Sequence, residues 1–309
     1  MSRFGYTVLG FGGFTPAGGP GVWTDQEQTI NTNRYQSVTA GGSAGSIIAG
    51  GSSTGNSETW DGNTWSNADD NLSANTGAAS GGGTSSSAIV IGGNRGGSGS
   101  TVCEKWDSSA GTWTNADSTT TVFTAAASSA TDKDNAWVCG GWTGSAIGSK
   151  NEVMVSASWT VQSADMLTDR LAMAKNQAGS GTNSAAVTGS TGSISDKNEE
   201  YTHSSGASGT WSTNDAILTG LTDDPSCFGQ TSADDLVVAF GENASGPAGN
   251  CFEFNGTTDT WTTGNTTPAA VRNNYGGGPT GAVITVGGYL ESAAAYQDDT
   301  YTFARAIST

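Results

Sequence analysis

The sequence predicts an all-β fold, a six-bladed β-propeller of short antiparallel sheets set around a ring. Three observations predict it. A tryptophan followed by Ser or Thr recurs at Trp23, Trp65, Trp113, Trp159, Trp211 and Trp261, at intervals of 42, 48, 46, 52 and 50 residues. Between 27 and 31 residues beyond each, an apolar run closes in glycine or a near-match: SIIAGG at Gly51, AIVIGG at Gly93, AWVCGG at Gly141, AAVTGS at Ser190, VVAFGE at Gly241 and AVITVGG at Gly288. Third, the chain is polar and glycine-rich, with 47 Gly and 13% charged residues, yet its 10 Trp, 7 Tyr and 9 Phe can bury enough apolar surface to offset the entropy of ordering.

Each repeat reads as four strands. The run before the glycines is continuously aliphatic or β-branched, which suits an inner strand buried on both faces. The glycines then allow unusual backbone conformations where neighbouring sheets crowd together. A polar loop and a third run follow, carrying Glu and an aromatic or apolar residue before the next tryptophan: SETWDGNTW, VCEKWDSSAGTW, NEVMVSASW, NEEYTHSSGASGTW and CFEFNGTTDTW. The recurring tryptophan is expected to fill the wedge between adjacent sheets. The sixth copy, AYQDDTYTF, ends before its tryptophan. The segment around Val22 and Trp23 is therefore expected to supply the last outer strand, pairing the two ends of the chain and removing exposed edges. A seventh blade is the alternative, because TVLGFGG ending at Gly13 imitates a second strand; the ten residues from there to Trp23 are too few for a loop and a third strand. Residues 164–178 have helical composition but align with the first strand of the fourth repeat, and read as strand and loop.

Over residues 21–303 this pattern resembles the kelch family, whose repeats of about 50 residues set a glycine doublet at the end of the second strand and a Trp on the outer strand. Ser190 and Glu242 stand at the second glycine in two repeats, and Trp60, Trp106 and Phe254 stand where the family has Tyr. The chain divides into an N-terminal arm, 1–20, and the propeller, 21–309.

Composition excludes several classes. The net charge is −17, and the eleven Lys and Arg form no stripe that could neutralise a phosphate backbone, so no nucleic-acid partner is expected. No apolar run approaches the roughly 20 residues of a bilayer span, and no membrane span or signal peptide is expected. Cys103, Cys139, Cys227 and Cys251 lack metal-ligand spacing and read as small buried hydrophobes. Copper-radical oxidases also use a kelch-type propeller but need two His, and this chain has His203 alone.

Arg34, Arg170 and Arg272 occupy similar places after their tryptophans; they read as framework residues, or otherwise as a carboxylate clamp on a common rim. Acidic pairs stand at Asp69–Asp70, Glu199–Glu200, Asp223–Asp224, Asp234–Asp235 and Asp298–Asp299. Ca²⁺ is the cation such pairs suit, but no calcium-loop signature is present. Asp132, Asp134 and Asn135 come nearest and fit a turn, so no cofactor or metal is expected. No nucleophile elbow, phosphate loop or zinc helix appears. The loops after the second strands are the candidate binding surface, with Trp142, Tyr289 and Arg95 placed there and aromatic rings available to stack on sugars.

The arm carries Phe4, Tyr6, Phe11 and Phe14, which are expected either to pack on the propeller or to dock on a partner. Its first 13 residues, MSRFGYTVLGFGG, resemble the leader of virion accessory proteins of marine bacteriophages. That resemblance implies assembly in a host cytoplasm, which suits reduced cysteines, and virion proteins as partners. The expectation is a non-catalytic propeller on a phage particle, a decoration, fibre or adhesin protein, whose loops bind host-surface glycan. The alternatives are a glycosidase or lyase on the same scaffold, and an intracellular kelch-type protein-interaction scaffold; the alternative locations to the virion are cytoplasmic or extracellular.

Overall fold

The computed structural model describes residues 20–52, 54–173, 183–190, 196–213, 223–229, 235–243, 245–256 and 258–305. The arm with Phe4, Tyr6, Phe11 and Phe14 lies outside them, as does the place of a first strand in the fourth repeat. The fold is all-β and propeller-like. A 3₁₀ turn at Glu291–Ala293 is the one helical element among the described residues, and 164–173 hold only bends and a bridge.

Among the described residues six main antiparallel sheets follow one another along the chain, besides three smaller ones formed by loop strands; each main sheet is given from first strand to last. Sheet one is Val38–Gly42, Gly45–Ala49, Ser57–Trp60 and Trp65–Asn67; sheet two is Ser80–Thr84, Ser87–Ile91, Cys103–Asp107 and Thr112–Ala116. Sheet three is Ala127–Asp132, Asn135–Cys139, Asn151–Val155 and Ser158–Val161; sheet four is Asn183–Val187, Asn198–Ser205 and Ser208–Thr213. Sheet five is Ser226–Phe228, Asp235–Ala239, Cys251–Asn255 and Thr260–Thr263. Sheet six is Tyr275–Gly277, Val283–Val286 and Asp299–Ala304, and its outer strand is Val22–Thr29, in the register Val22↔Ala304 to Asp25↔Tyr301.

The apolar second strands are buried on both faces, as their unbroken composition requires. The first strands are built of small residues because they meet at backbone distance: a Cβ on Gly277 would lie 2.7 Å from the carbonyl oxygen of Gly41. Hydroxyls knit them together, with Ser128 Oγ accepting from Gly81 N at 2.8 Å and donating to Gly81 O at 2.9 Å, and Thr39 Oγ1 donating to Tyr275 O at 3.1 Å. Between the sheets lie the aromatics. Trp60 and Trp65 of sheet one pack on Ile284 and Val286 of sheet six, and the Trp65 indole N–H donates to Thr300 Oγ1 at 2.8 Å.

Two residues before each described first strand sits a residue with left-handed backbone, Gln36, Ala78, Ala125, Asp224 or Asn273, and Ala172 holds the same conformation in the fourth repeat, with φ between 48° and 59°. Their backbones form a hydrogen-bonded circuit. Ala78 N donates to Gln36 O (3.0 Å), Ala125 to Ala78 (2.8 Å), Ala172 to Ala125 (2.8 Å), Asp224 to Ala172 (2.9 Å), Asn273 to Asp224 (3.4 Å) and Gln36 to Asn273 (3.3 Å). Side chains that occupy this conformation are strained unless they are Asn or Asp, so the circuit has a geometric purpose.

A second repeated device fixes the connection entering each of the first four sheets. A buried third-strand glutamate accepts backbone N–H groups of that connection: Glu58 from Asn31 (2.6 Å) and Thr32 (3.2 Å), Glu104 from Ser73 (3.0 Å), Glu152 from Thr120 (3.0 Å) and Thr121 (2.7 Å), and Glu199 from Leu167 (2.9 Å). In sheet five the register differs, and Glu253 accepts instead from Gly21 N at 2.9 Å, beside the strand that completes sheet six.

One expectation needs correction. In the fourth and fifth repeats it is the first glycine that is replaced. Thr188 and Phe240 make the backbone bond to the start of the third strand that Gly50, Gly92, Gly140 and Gly287 make elsewhere, and they do so at φ of 57° and 62°. Gly189 and Gly241 are the retained second glycines, because a Cβ on Gly241 would meet Asp223 O at 2.7 Å. Ser190 and Glu242 therefore stand one residue beyond the doublet.

Candidate binding site on the loop face

In an antiparallel four-stranded sheet, the start of the first strand and the end of the second share one end. There each repeat pairs the residue before the left-handed position with the residue after the glycines. The pairs are Leu171 with Ser190, Asp223 with Glu242, Arg272 with Tyr289 and Thr124 with Trp142; Gly77 pairs with Asn94, and Ser52 N donates to Tyr35 O at 2.8 Å. Sheets five, six and one thus contribute Asp223, Glu242, Arg272, Tyr289 and Tyr35 to a continuous band.

Arg272 is its centre. Its Nη1 donates to Glu242 Oε2 at 2.9 Å, its Nη2 lies 3.9 Å from Glu291 Oε1, and its guanidinium carbon sits 5.5 Å from the centroid of the Tyr289 ring. Tyr289 and Tyr296 face each other across a short hairpin at 6.0 Å, and Tyr35 stacks on Tyr296 at 4.6 Å with 25° between the rings. Tyr296 is 42% exposed, so the cluster presents a ring to solvent. The neighbouring Tyr35 hydroxyl raises the Tyr296 phenol above its ordinary range.

At the other end of the band, burial pushes the Asp223 carboxyl up to about 7, reinforced by Asp224 and Glu242 and opposed by Arg272. Asp223 Oδ1 and Arg272 Nε are buried with no hydrogen-bond partner among the described residues. Beneath them Tyr275 donates to Asn273 Oδ1 at 2.9 Å, and burial, then Asp224, raises its phenol well above the usual range.

Of the residues predicted for binding, Tyr289 lies in this band and the other two lie elsewhere. Trp142 is 40% exposed but belongs to sheet three, bridged to Thr124 and Ile147. Arg95 is held inward, donating to Ser73 Oγ at 2.7 Å and paired with Glu104 at 2.5 Å. His203 sits half-buried in a hairpin, its ring nitrogen 3.1 Å from Gly206 O.

The three predicted arginines separate. Arg34 is buried and ion-paired with Glu58, and Arg170 is buried and paired with Glu199 at 3.3 Å; both also donate to backbone carbonyls. Arg272 is 30% exposed. All three follow their tryptophan by eleven residues, but Arg34 and Arg170 precede the left-handed residue by two positions and Arg272 precedes it by one. Val271 fills the buried slot in sheet six, and Arg272 is turned onto the face.

Sequence reasoning missed Tyr35 and Tyr296. The available signal was the 27-residue spacing from Trp261 to Gly288, one shorter than the 28 from Trp23 to Gly51. Among the acidic candidates, Asp132 caps its own turn by accepting from Asp134 N at 2.7 Å. Among the described residues no group of three or more His, Cys, Asp or Glu could hold a metal ion, and no helix is long and apolar enough to cross a membrane.

No protein-family model matches the chain, and no curated protein matches its sequence. Solved structures do match, among them one titled "Structure of YjhT", with a TM-score of 0.71 and 11% identity over 88% of this chain and 95% of that one. At that identity the likeness establishes the fold and carries no activity across.

Proposed function

We propose that the chain is a six-bladed propeller of kelch type, closed by its N-terminal strand, and that it acts as a non-catalytic binding module recognising glycan through the Tyr35–Tyr289–Tyr296–Arg272 band. Support for the blade count and closure comes from the six sheets, the six-membered backbone circuit and the pairing of Val22–Thr29 with Asp299–Ala304. The observation that carries the binding reading is the gathering of three tyrosines and an arginine from two repeats onto one accessible patch. Aromatic faces flanked by charged hydrogen-bonding groups suit the C–H faces and hydroxyls of a pyranose. The setting proposed is a phage particle, with Phe4, Tyr6, Phe11 and Phe14 of the arm docking on virion proteins; this part rests on the leader's resemblance alone. Glycan-array binding of the full chain, compared with Tyr289→Ala and with Trp142→Ala, tests the module. Loss of signal with the first variant and not the second supports it. Equal binding by all three proteins refutes the assignment of the patch.

One observation favours a second reading, a glycoside-cleaving enzyme. Asp223, held near 7 by burial, stands beside Asp224 and Glu242, and a carboxyl raised into that range next to other carboxylates suits a general acid. A single arginine accompanies them, whereas a carboxylate clamp needs several. Release of reducing ends from candidate glycans, abolished by Asp223→Asn, is the result that would favour the enzyme.

A further inference from the structure

Resting on the proposed glycan-binding reading, we infer the ligand's chemical class: the band takes a neutral pyranose and rejects acidic sugars such as sialic acids and uronates. The charges decide this. Arg272 stands among Asp224, Glu242 and Glu291, with Asp223, raised to about 7, only partly ionised beside them; its Nη1 is engaged by Glu242 at 2.9 Å and its Nη2 lies 3.9 Å from Glu291 Oε1. It also lies against the Tyr289 ring with its Nε buried, so presenting a bidentate face to an incoming carboxylate means moving it off Glu242 or off the ring. The arginines that could have joined it are withdrawn, Arg34 and Arg170 each being buried against its own glutamate. Among the described residues an anionic sugar would meet these carboxylates with Arg272 already held by one of them.

A neutral sugar meets the reverse. Its hydroxyls are hydrogen-bond donors, and the carboxylates that repel an anion accept from them. Its apolar face can lie on Tyr296, which is 42% exposed. The stacking of Tyr35 on Tyr296 at 4.6 Å closes the slot between those two rings to a methylated ammonium group, the other common partner of tyrosine clusters.

The test uses the full chain on an array bearing lactose, 3′-sialyllactose, glucuronate-terminated and glucosamine oligomers alongside a broad set of neutral oligosaccharides, in 0.15 M and 1 M NaCl. Expected is binding confined to neutral glycans, nearly unchanged by salt, and weakened about tenfold by Tyr296→Ala, whose exposed side chain can be removed without unfolding the protein, as a melting curve verifies. Glu291→Lys, also at an exposed position, should admit acidic glycans. Wild-type binding that prefers acidic or amino sugars overturns the ligand class while leaving the binding module intact. Binding to no glycan at all overturns the module itself, and the inference with it.

Discussion

The loop face has two unlike halves on one frame. On the half built by sheets five, six and one, the circuit carries Asp224, Asn273 and Gln36, and the paired positions outside it carry Asp223, Glu242, Arg272, Tyr289 and Tyr35. On the half built by sheets two, three and four, the circuit carries Ala78, Ala125 and Ala172, and the outer pairs are Gly77 with Asn94, Thr124 with Trp142 and Leu171 with Ser190. The backbone bonds are the same in both. A repeat fold thus lets the frame be held by main chain and buried glutamates while side chains at equivalent positions diverge, and divergence concentrated in one half is what a site on a symmetric scaffold looks like.

The largest predicted effect asks whether the frame really serves both halves alike. Glu58→Ala would strand the buried Arg34 and leave the N–H groups of Asn31 and Thr32 unanswered, so a loss of about 3–5 kcal/mol is expected. Glu152→Ala on the other half leaves two N–H groups but no arginine, and should cost about 1–3 kcal/mol. Urea denaturation measures both; a negligible loss for Glu152→Ala would show that a glutamate without an arginine partner does not hold its connection.

Next in size is the contrast in binding. Tyr289→Ala should weaken glycan affinity about tenfold, and Trp142→Ala should change it less than about twofold. The reverse order, read by titration calorimetry, would move the site to sheet three and undo the comparison.

Much of this was legible in the sequence, and the physical reasons for what was not are specific. Tryptophan and glycine spacings fix the sheets because the wedge between sheets and the close approach of backbones admit few other residues. Glu58, Glu104, Glu152 and Glu199 were visible as a repeated letter, but their partners are main-chain N–H groups, which no sequence displays. The band was hidden by one residue of register. Arg34, Arg170 and Arg272 look alike counted from tryptophan, and only the shorter span to Gly288 betrays that sheet six carries its arginine one position later. Thr188 and Phe240 misled in another way, since their left-handed backbones stand where glycine was the natural expectation.

A smaller effect concerns pH and belongs to the polar half alone. Asp223 titrates near 7 in the fold and near the ordinary carboxylate value when unfolded, so the folded state binds the extra proton. Its contribution is fully present below about pH 4 and is lost as pH rises through about 7. Asp223 is partly exposed, so screening reduces the effect, and a decline of a few degrees in melting temperature between pH 5 and pH 8 is expected. Asp223→Asn should flatten that decline. A decline of equal slope in the variant would assign it to other groups.

The smallest effect sharpens the comparison at the circuit itself. Ala125 holds φ of 54° with a methyl group that gains nothing from it, whereas Asn273 holds 53° with a side chain suited to that conformation, its oxygen accepting from Tyr275 at 2.9 Å. Ala125→Gly removes the steric penalty of a Cβ in left-handed backbone, about 1–2 kcal/mol, and adds the greater unfolded-state entropy of glycine, about 0.5–1 kcal/mol. The net expectation is a gain of up to about 1 kcal/mol in urea denaturation. Asn273→Gly loses the bond to Tyr275 as well and should destabilise. If both substitutions stabilised equally, Asn273 would be carrying no role in the polar half beyond its backbone, and the two halves would differ only in their outer pairs.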